Sequence, residues 1–160
     1  MIGTTMKPRS IVALLVVFML PLSVVADQYK LPNAPVFKEE CGSCHLVFPP
    51  QMLDAESWRG VMAGLPEHFG TDASVDEKQR LLITDILMSH AGGRKTGDTV
   101  DAMGKSLLRI SETARFIRKH RDIQPTVWRR ASIKSPANCS ACHTQASTGQ
   151  YSDHNIKIPK

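Results

Sequence analysis

One short pattern is written twice in this chain, as Cys41-Gly42-Ser43-Cys44-His45 and as Cys139-Ser140-Ala141-Cys142-His143. The two copies use all four cysteines of the 160 residues. C-x-x-C-H is the attachment pattern of a c-type haem. In one helical turn, residues i, i+3 and i+4 share a face. Two thiols so placed reach the two vinyl groups of one porphyrin as thioethers, and the next imidazole meets the iron from the same side. Cys41, Cys44, Cys139 and Cys142 are therefore the expected covalent anchors of two haem c groups, with His45 and His143 as the proximal iron ligands.

Other uses of paired cysteines explain less. Disulfides are common in exported chains, but they require no His after each pair. A thioredoxin-like pair belongs in a βαβ unit, and neither copy lies in one. A Cys₄ zinc site usually separates its pairs by roughly 15–20 residues, whereas residues 45–138 intervene here.

The N-terminus reads as an export signal, which suits a haem attached outside the cytoplasm. Lys7 and Arg9 precede an unbroken apolar run, Ile11 to Leu20, and Val24-Val25-Ala26 places small residues before a cleavage point at Asp27. The apolar stretch is interrupted by Pro21 and falls short of the roughly 20 residues that span a bilayer, so an uncleaved anchor is the weaker reading. Residues 1–26 are thus expected to be removed and the mature chain to be periplasmic. Without Lys7 and Arg9 the formal charge falls from +5 to +3. Each ferric haem with two propionates adds about −1, for a holoprotein near +1. With no long charge run, that balance does not call for an anionic polymer, and no nucleic-acid partner is expected. The mature chain is about 37% hydrophobic, lean for a self-supporting core, so the haems should fill much of the interior.

The local patterns are helical. Phe48-Pro49-Pro50 should stop a first haem helix. Trp58, Val61, Met62 and Leu65 recur at i, i+3, i+4 and i+7, predicting a helix near Ala55 to Leu65. Pro66 to Gly70 reads as a turn. Ser74-Val75-Asp76-Glu77 reads as a capping box opening a helix to about Ala91, with Leu82, Ile83, Ile86 and Leu87 inward and Gly92-Gly93 ending it. A further helix is expected over Ser111 to Arg121, with Phe116, Ile117 and His120 on one face. No strand signal of any length is present. The fold class is therefore mainly α, short helices and irregular segments around two haems. Residues 27–95 form an N-terminal haem lobe and 106–160 a C-terminal one. The linker at 96–105 lies inside the Gly-, Thr- and charge-rich stretch from Gly92 to Lys105.

The second axial position decides the chemistry. An iron with one protein ligand can bind and activate small molecules, and one with two mainly transfers electrons. Four histidines (His68, His90, His120, His154) and four methionines (Met52, Met62, Met88, Met103) remain as candidates. His120 and His90 share helix faces with apolar residues, His68 follows an apolar helix, and His154 lies in a polar tail. Residue patterns alone leave the choice open.

Larger segments carry a resemblance. Glu40 to His45, then Phe48-Pro49-Pro50, Ser57-Trp58, Met62-Ala63-Gly64-Leu65 and His68-Phe69-Gly70 are similar to the dihaem cytochrome c (DHC) family. So are His120-Arg121, Trp128, Lys134 to Cys139 and Ile158-Pro159. The resemblance implies a small exported electron carrier, not an enzyme, with two low-spin bis-histidine haems. It implies His68 and His120 as the distal ligands. Proximity assigns His68 to the haem of Cys41 and Cys44, and His120 to that of Cys139 and Cys142. The implied partners are other redox proteins, a monohaem c-type cytochrome and a membrane b-type cytochrome, with no small-molecule substrate; peripheral contact with a membrane stays open. The enzymatic alternative, a peroxidase-like or ligand-activating dihaem protein, requires one iron without a distal ligand. A subunit of a larger complex and a gas sensor are further alternatives.

Overall fold

The computed structural model describes residues 28–93 and 99–160. The expected signal at 1–26 lies outside them. Five α-helices run along the described residues: α1 Pro35–Gly42, α2 Ala55–Ala63, α3 Glu77–Ser89, α4 Ala114–His120 and α5 Pro125–Trp128. Short 3₁₀ turns link them, and extended pairing among the described residues is limited to isolated bridges. No described helix is long and apolar enough to cross a membrane. The mainly α expectation holds.

Helix starts follow local chemistry. Pro35 and Pro125 occupy the first turns of α1 and α5, where a missing N–H costs no hydrogen bond. Asp54, Asp76 and Thr113 cap α2, α3 and α4 by accepting from the N–H groups of Ser57, Gln79 and Phe116. The expected capping box is thus displaced: Asp76, not Ser74, is the cap. Asp72 instead accepts from the Ser74 N–H at 2.9 Å and shapes the preceding turn.

α2 packs across α3, with α1 against the same helix. The buried core is Phe37, Leu53, Trp58, Val61, Met62, Leu65, Ile83 and Leu87. The Trp58 stripe faces inward as expected, and the Trp58 indole donates to the Pro50 carbonyl at 2.7 Å. Leu82 is a correction: it is 49% exposed, because Ile83 and Leu87 already fill the face of α3 toward α2. α2 also stops at Ala63, and Leu65 to Glu67 form a separate 3₁₀ turn. Two bonds from the Gly64 N–H, to Gly60 and Val61, close the helix there.

α3 ends at Ser89 with His90 as its cap, two residues before Gly92. Gly92 has a different task. Its N–H donates to the Leu53 carbonyl at 2.8 Å, and a Cβ there would collide with the Gln51 carbonyl oxygen. The described part of the expected linker, from Thr99 on, is not an open tether. Thr99 is buried and donates to Asp54 at 2.7 Å, while Leu108 and Ile110 pack on the first core. The chain therefore returns to the N-terminal lobe before α4 begins.

From Thr113 onward little apolar material is buried: Ile133, Ala146 and Tyr151 among the described residues. α4 and α5 have no buried residue of their own. The irregular tail is held down by backbone bonds, Thr144 N–H to the Asn155 carbonyl and Lys157 N–H to the Cys142 carbonyl. The N-terminal end crosses to this lobe, where the Tyr29 N–H donates to the Gly149 carbonyl at 2.8 Å. Tyr29 and Tyr151 meet there edge to face, 5.5 Å apart.

Candidate haem centres

The first motif begins in the last turn of α1. Cys41 is helical, but α1 ends at Gly42, so Cys44 and His45 leave the helix and stand exposed. The second motif spans a 3₁₀ turn, Cys139–Ala141. Neither motif sits on a continuous α-helical turn as expected; the tightened 3₁₀ geometry still carries i and i+3 along one edge.

None of the four cysteines is paired in a disulfide. Among the described residues no group of three or more His, Cys, Asp or Glu converges to hold a metal ion. Burial, then Glu40, pushes the Cys41 thiol up to about 11, and burial pushes Cys139 up to about 11. Burial also raises Cys142. Redox-active C-x-x-C pairs show the reverse, a depressed first thiol. Cys41, Cys139 and Cys142 are thereby kept as neutral thiols, the form that adds across a vinyl double bond.

Opposite each motif stands a second histidine. His45 faces His68 with ring centroids 6.2 Å apart and planes 24° apart. His143 faces His120 with centroids 6.1 Å apart and planes 76° apart. Two imidazoles bound to opposite sides of one metal, at about 2 Å per bond with each ring centre about 1.1 Å behind its nitrogen, have centroids about 6 Å apart. Both centroid separations match that spacing. In each pair one ring has its tautomer set by a carbonyl. His45 Nδ1 lies 2.7 Å from the Leu46 carbonyl and His120 Nδ1 lies 2.8 Å from that of Phe116. Donation from Nδ1 leaves the Nε2 lone pair for a metal.

His68 is placed by a tight turn. Leu65 to Glu67 lead into it, and the Thr71 N–H donates back to its carbonyl at 3.2 Å. Phe69 follows with φ 55° and Gly70 with φ 95°. A bulky residue in the left-handed region is strained, and such strain gathers where a side chain must be aimed. The Arg109 guanidinium lies 3.9 Å above the Phe69 ring and ties the turn to the returning segment. Desolvation, then the neighbouring His45 and Arg109, holds His68 below the ordinary imidazole value. The ring is therefore neutral near pH 7.

His120 is placed by α4. Phe116, one turn earlier, stacks on it with centroids 4.0 Å apart and planes 21° apart, and Trp128 closes on the same ring at 5.8 Å. His120, His143, Cys139 and Cys142 share the wall of an open cavity with Phe116 and Trp128. The volume of that open cavity is about 170 Å³. Its apolar rings suit a porphyrin. Ile117, expected on the same face, is 60% exposed: at one residue beyond Phe116 it is turned about 100° away.

The remaining candidates fall elsewhere. His90 is exposed and bound to the Ile86 carbonyl at 2.9 Å, and His154 is exposed. Met62 is buried in the first core, Met103 is 87% exposed, and Met52 lines the second cavity. Sequence reading missed Tyr29 and Tyr151, whose rings join the chain's two ends beside His143. Their long separation in sequence leaves no local signal.

Fold and site together define a small helical c-type haem protein with two attachment segments, each faced by a second imidazole. The model of the family described as "Dihaem cytochrome c" matches residues 37–151. The chain belongs to the dihaem cytochrome c family, and two haem c groups are its cofactors. It is similar to the solved "Diheme cytochrome c from Rhodobacter sphaeroides", at 39% identity over 76% of this chain and 99% of that one, with TM-score 0.67. It is also similar to the diheme cytochrome from Shewanella baltica OS155, at 32% identity over 81% and 95%, with TM-score 0.68. Among curated proteins no match is found.

Proposed function

We propose that the protein is a periplasmic electron carrier with two low-spin bis-histidine haems, exported by a signal cleaved after Ala26. Cys41 and Cys44 hold one haem with His45 as proximal and His68 as distal ligand. Cys139 and Cys142 hold the other with His143 proximal and His120 distal. The observation that carries this reading is the pair of facing imidazoles, at 6.2 and 6.1 Å.

The haems supply reversible one-electron Fe(III)/Fe(II) chemistry. The chain's own residues confine it to that. With the haems bound, His68 and His120 would hold the irons opposite His45 and His143 and would leave a substrate no open position at the metal. The Leu46 and Phe116 carbonyls fix the ring orientation of His45 and His120 through Nδ1. Stacked Phe116 and the strained Phe69 turn hold the distal rings in place, which keeps reorganisation small when one electron arrives or leaves. Two imidazoles give a lower potential than His/Met ligation would. A peroxidase-like or gas-sensing role needs an iron with one protein ligand, and both centres have a second imidazole in reach. The partners are other redox proteins, a monohaem c-type and a membrane b-type cytochrome.

The test is low-temperature EPR of the oxidised holoprotein with His68→Ala and His120→Ala variants, together with its haem-to-protein ratio. Each substitution should remove one bis-imidazole signal and make one haem of the reduced protein bind carbon monoxide. A wild type that binds carbon monoxide, or a variant that keeps both signals, rejects the assignment.

A further inference from the structure

The charges divide unevenly along the chain. Asp27 to Glu112 holds nine basic and thirteen acidic residues, whereas Thr113 to Lys160 holds nine basic and two acidic. The second stretch carries a surplus of seven positive charges, and the first a deficit of four. One haem at about −1 in each lobe leaves that contrast intact.

The structure places two of these basic residues at one centre and leaves five more exposed in the same lobe. Arg115 and Lys119 of α4 line the second cavity with His120, Cys139 and Cys142. Arg118 on the same helix and Arg121 just beyond it are exposed, as are Arg129, Arg130 and Lys134 after α5. The two acids of this stretch are Asp122 and Asp153. Asp122 meets Arg121 at 3.7 Å with both side chains exposed, a geometry worth little in water. Asp153 lies on the cavity wall. The other lobe is the opposite: Asp72, Asp76 and Glu77 stand exposed at the start of α3.

We propose that the basic face of the C-terminal lobe, at the mouth of the His120–His143 cavity, is the docking surface for an acidic redox protein. This rests on the electron-carrier reading and adds to it which centre that partner meets. A bipolar molecule approaching a negative surface turns its positive lobe forward before contact, which raises the association rate and selects the face. In the step, the partner loses one electron and one ferric haem of this protein gains it.

The probe is an acidic flavodoxin reduced to its hydroquinone, mixed with oxidised holoprotein in a stopped-flow instrument at increasing NaCl. The second-order rate should fall about tenfold between low and physiological salt. Arg118→Glu with Arg121→Glu should lower the low-salt rate about fivefold or more and flatten the salt dependence. Lys38→Glu with Lys78→Glu makes the same charge change on the other lobe, at exposed sites on α1 and α3; it should change the rate less than twofold. Equal losses in both variants, or a wild-type rate indifferent to salt, overturns the proposal. So does wild-type binding to phosphatidylglycerol vesicles without a salt-dependent flavodoxin rate, since the face would then serve a membrane. Potentiometric titration of the same preparations reads reversible reduction without docking; its failure would reject the carrier reading, separately from the docking site.

Discussion

His120 and His143 face each other at 6.1 Å with their ring planes 76° apart, whereas His45 and His68, at 6.2 Å, lie within 24° of parallel. Bound to an iron, each imidazole would donate through its π orbital to the d orbital perpendicular to its plane. Parallel rings address the same orbital and split the pair, while perpendicular rings leave it nearly degenerate. The oxidised protein should therefore show two distinct low-spin EPR signals. The centre of His45 and His68 should give a conventional rhombic one, and that of His120 and His143 a strongly anisotropic one with a higher g maximum. Two superimposable rhombic spectra would show that the haem-bound rings of His120 and His143 lie near parallel.

Acid should release His68. Its folded-state imidazole binds protons less readily than a free one, chiefly through desolvation, with His45 and Arg109 adding to it. Ligation to iron would act in the same direction. Below the ordinary value of about 6.5 the unfolded or released ring binds more protons than the native one, so stability is present above that value and is lost as pH falls toward the lowered one. A spectral change from low to high spin should begin below pH of about 6.5, with His68→Ala already high-spin at neutral pH. Absorbance in the charge-transfer region follows it, and a transition that rises with increasing pH would contradict the sign.

The C-terminal lobe should depend on its haem for folding. Its described buried apolar residues are Ile133, Ala146 and Tyr151, too few to offset the chain entropy of nearly fifty residues. Replacing Cys139 and Cys142 by Ala should leave α2 and α3 folded and expose residues beyond Thr113 to trypsin, which the many basic residues there invite. Limited proteolysis with mass analysis reads the outcome. Equal resistance in both lobes would mean that protein contacts alone suffice.

Thr99→Val removes one donor from the buried Asp54 carboxylate, which also caps α2. The expected cost is about 1–3 kcal/mol of stability, with the haem spectra unchanged, because Asp54 lies in the first core and not against either ring pair. Denaturant unfolding followed by far-ultraviolet dichroism measures it. Wild-type stability would show that the bond is replaced by water.

The structure also separates the local from the long-range in the sequence. The Trp58 stripe, the caps near Asp54 and Asp76 and the turn before Gly70 are written within a few residues, and they form close to where periodicity places them. The details that shifted depend on neighbours. Leu82 faces out because Ile83 and Leu87 fill the α2 contact, and Ile117 faces out because Phe116 takes the His120 side. Thr99 and Leu108 return to the first lobe through contacts with Asp54 and Gly60, which a composition-based linker cannot reveal.

What the chain's letters determined alone is the chemistry: two C-x-x-C-H anchors place four thiols and two imidazoles at spacings that one porphyrin each can satisfy, because a covalent attachment pattern is local. The choice among His68, His90, His120 and His154 needed more than residue pattern, and the family resemblance favoured two of them. Only the tertiary structure put His68 opposite His45 and His120 opposite His143 while leaving His90 bound to the Ile86 carbonyl. A partner across a metal is chosen by distance in space, and that distance is set by helix packing, a strained turn at Phe69 and a ring stacked on Phe116, none of which is encoded within one short segment.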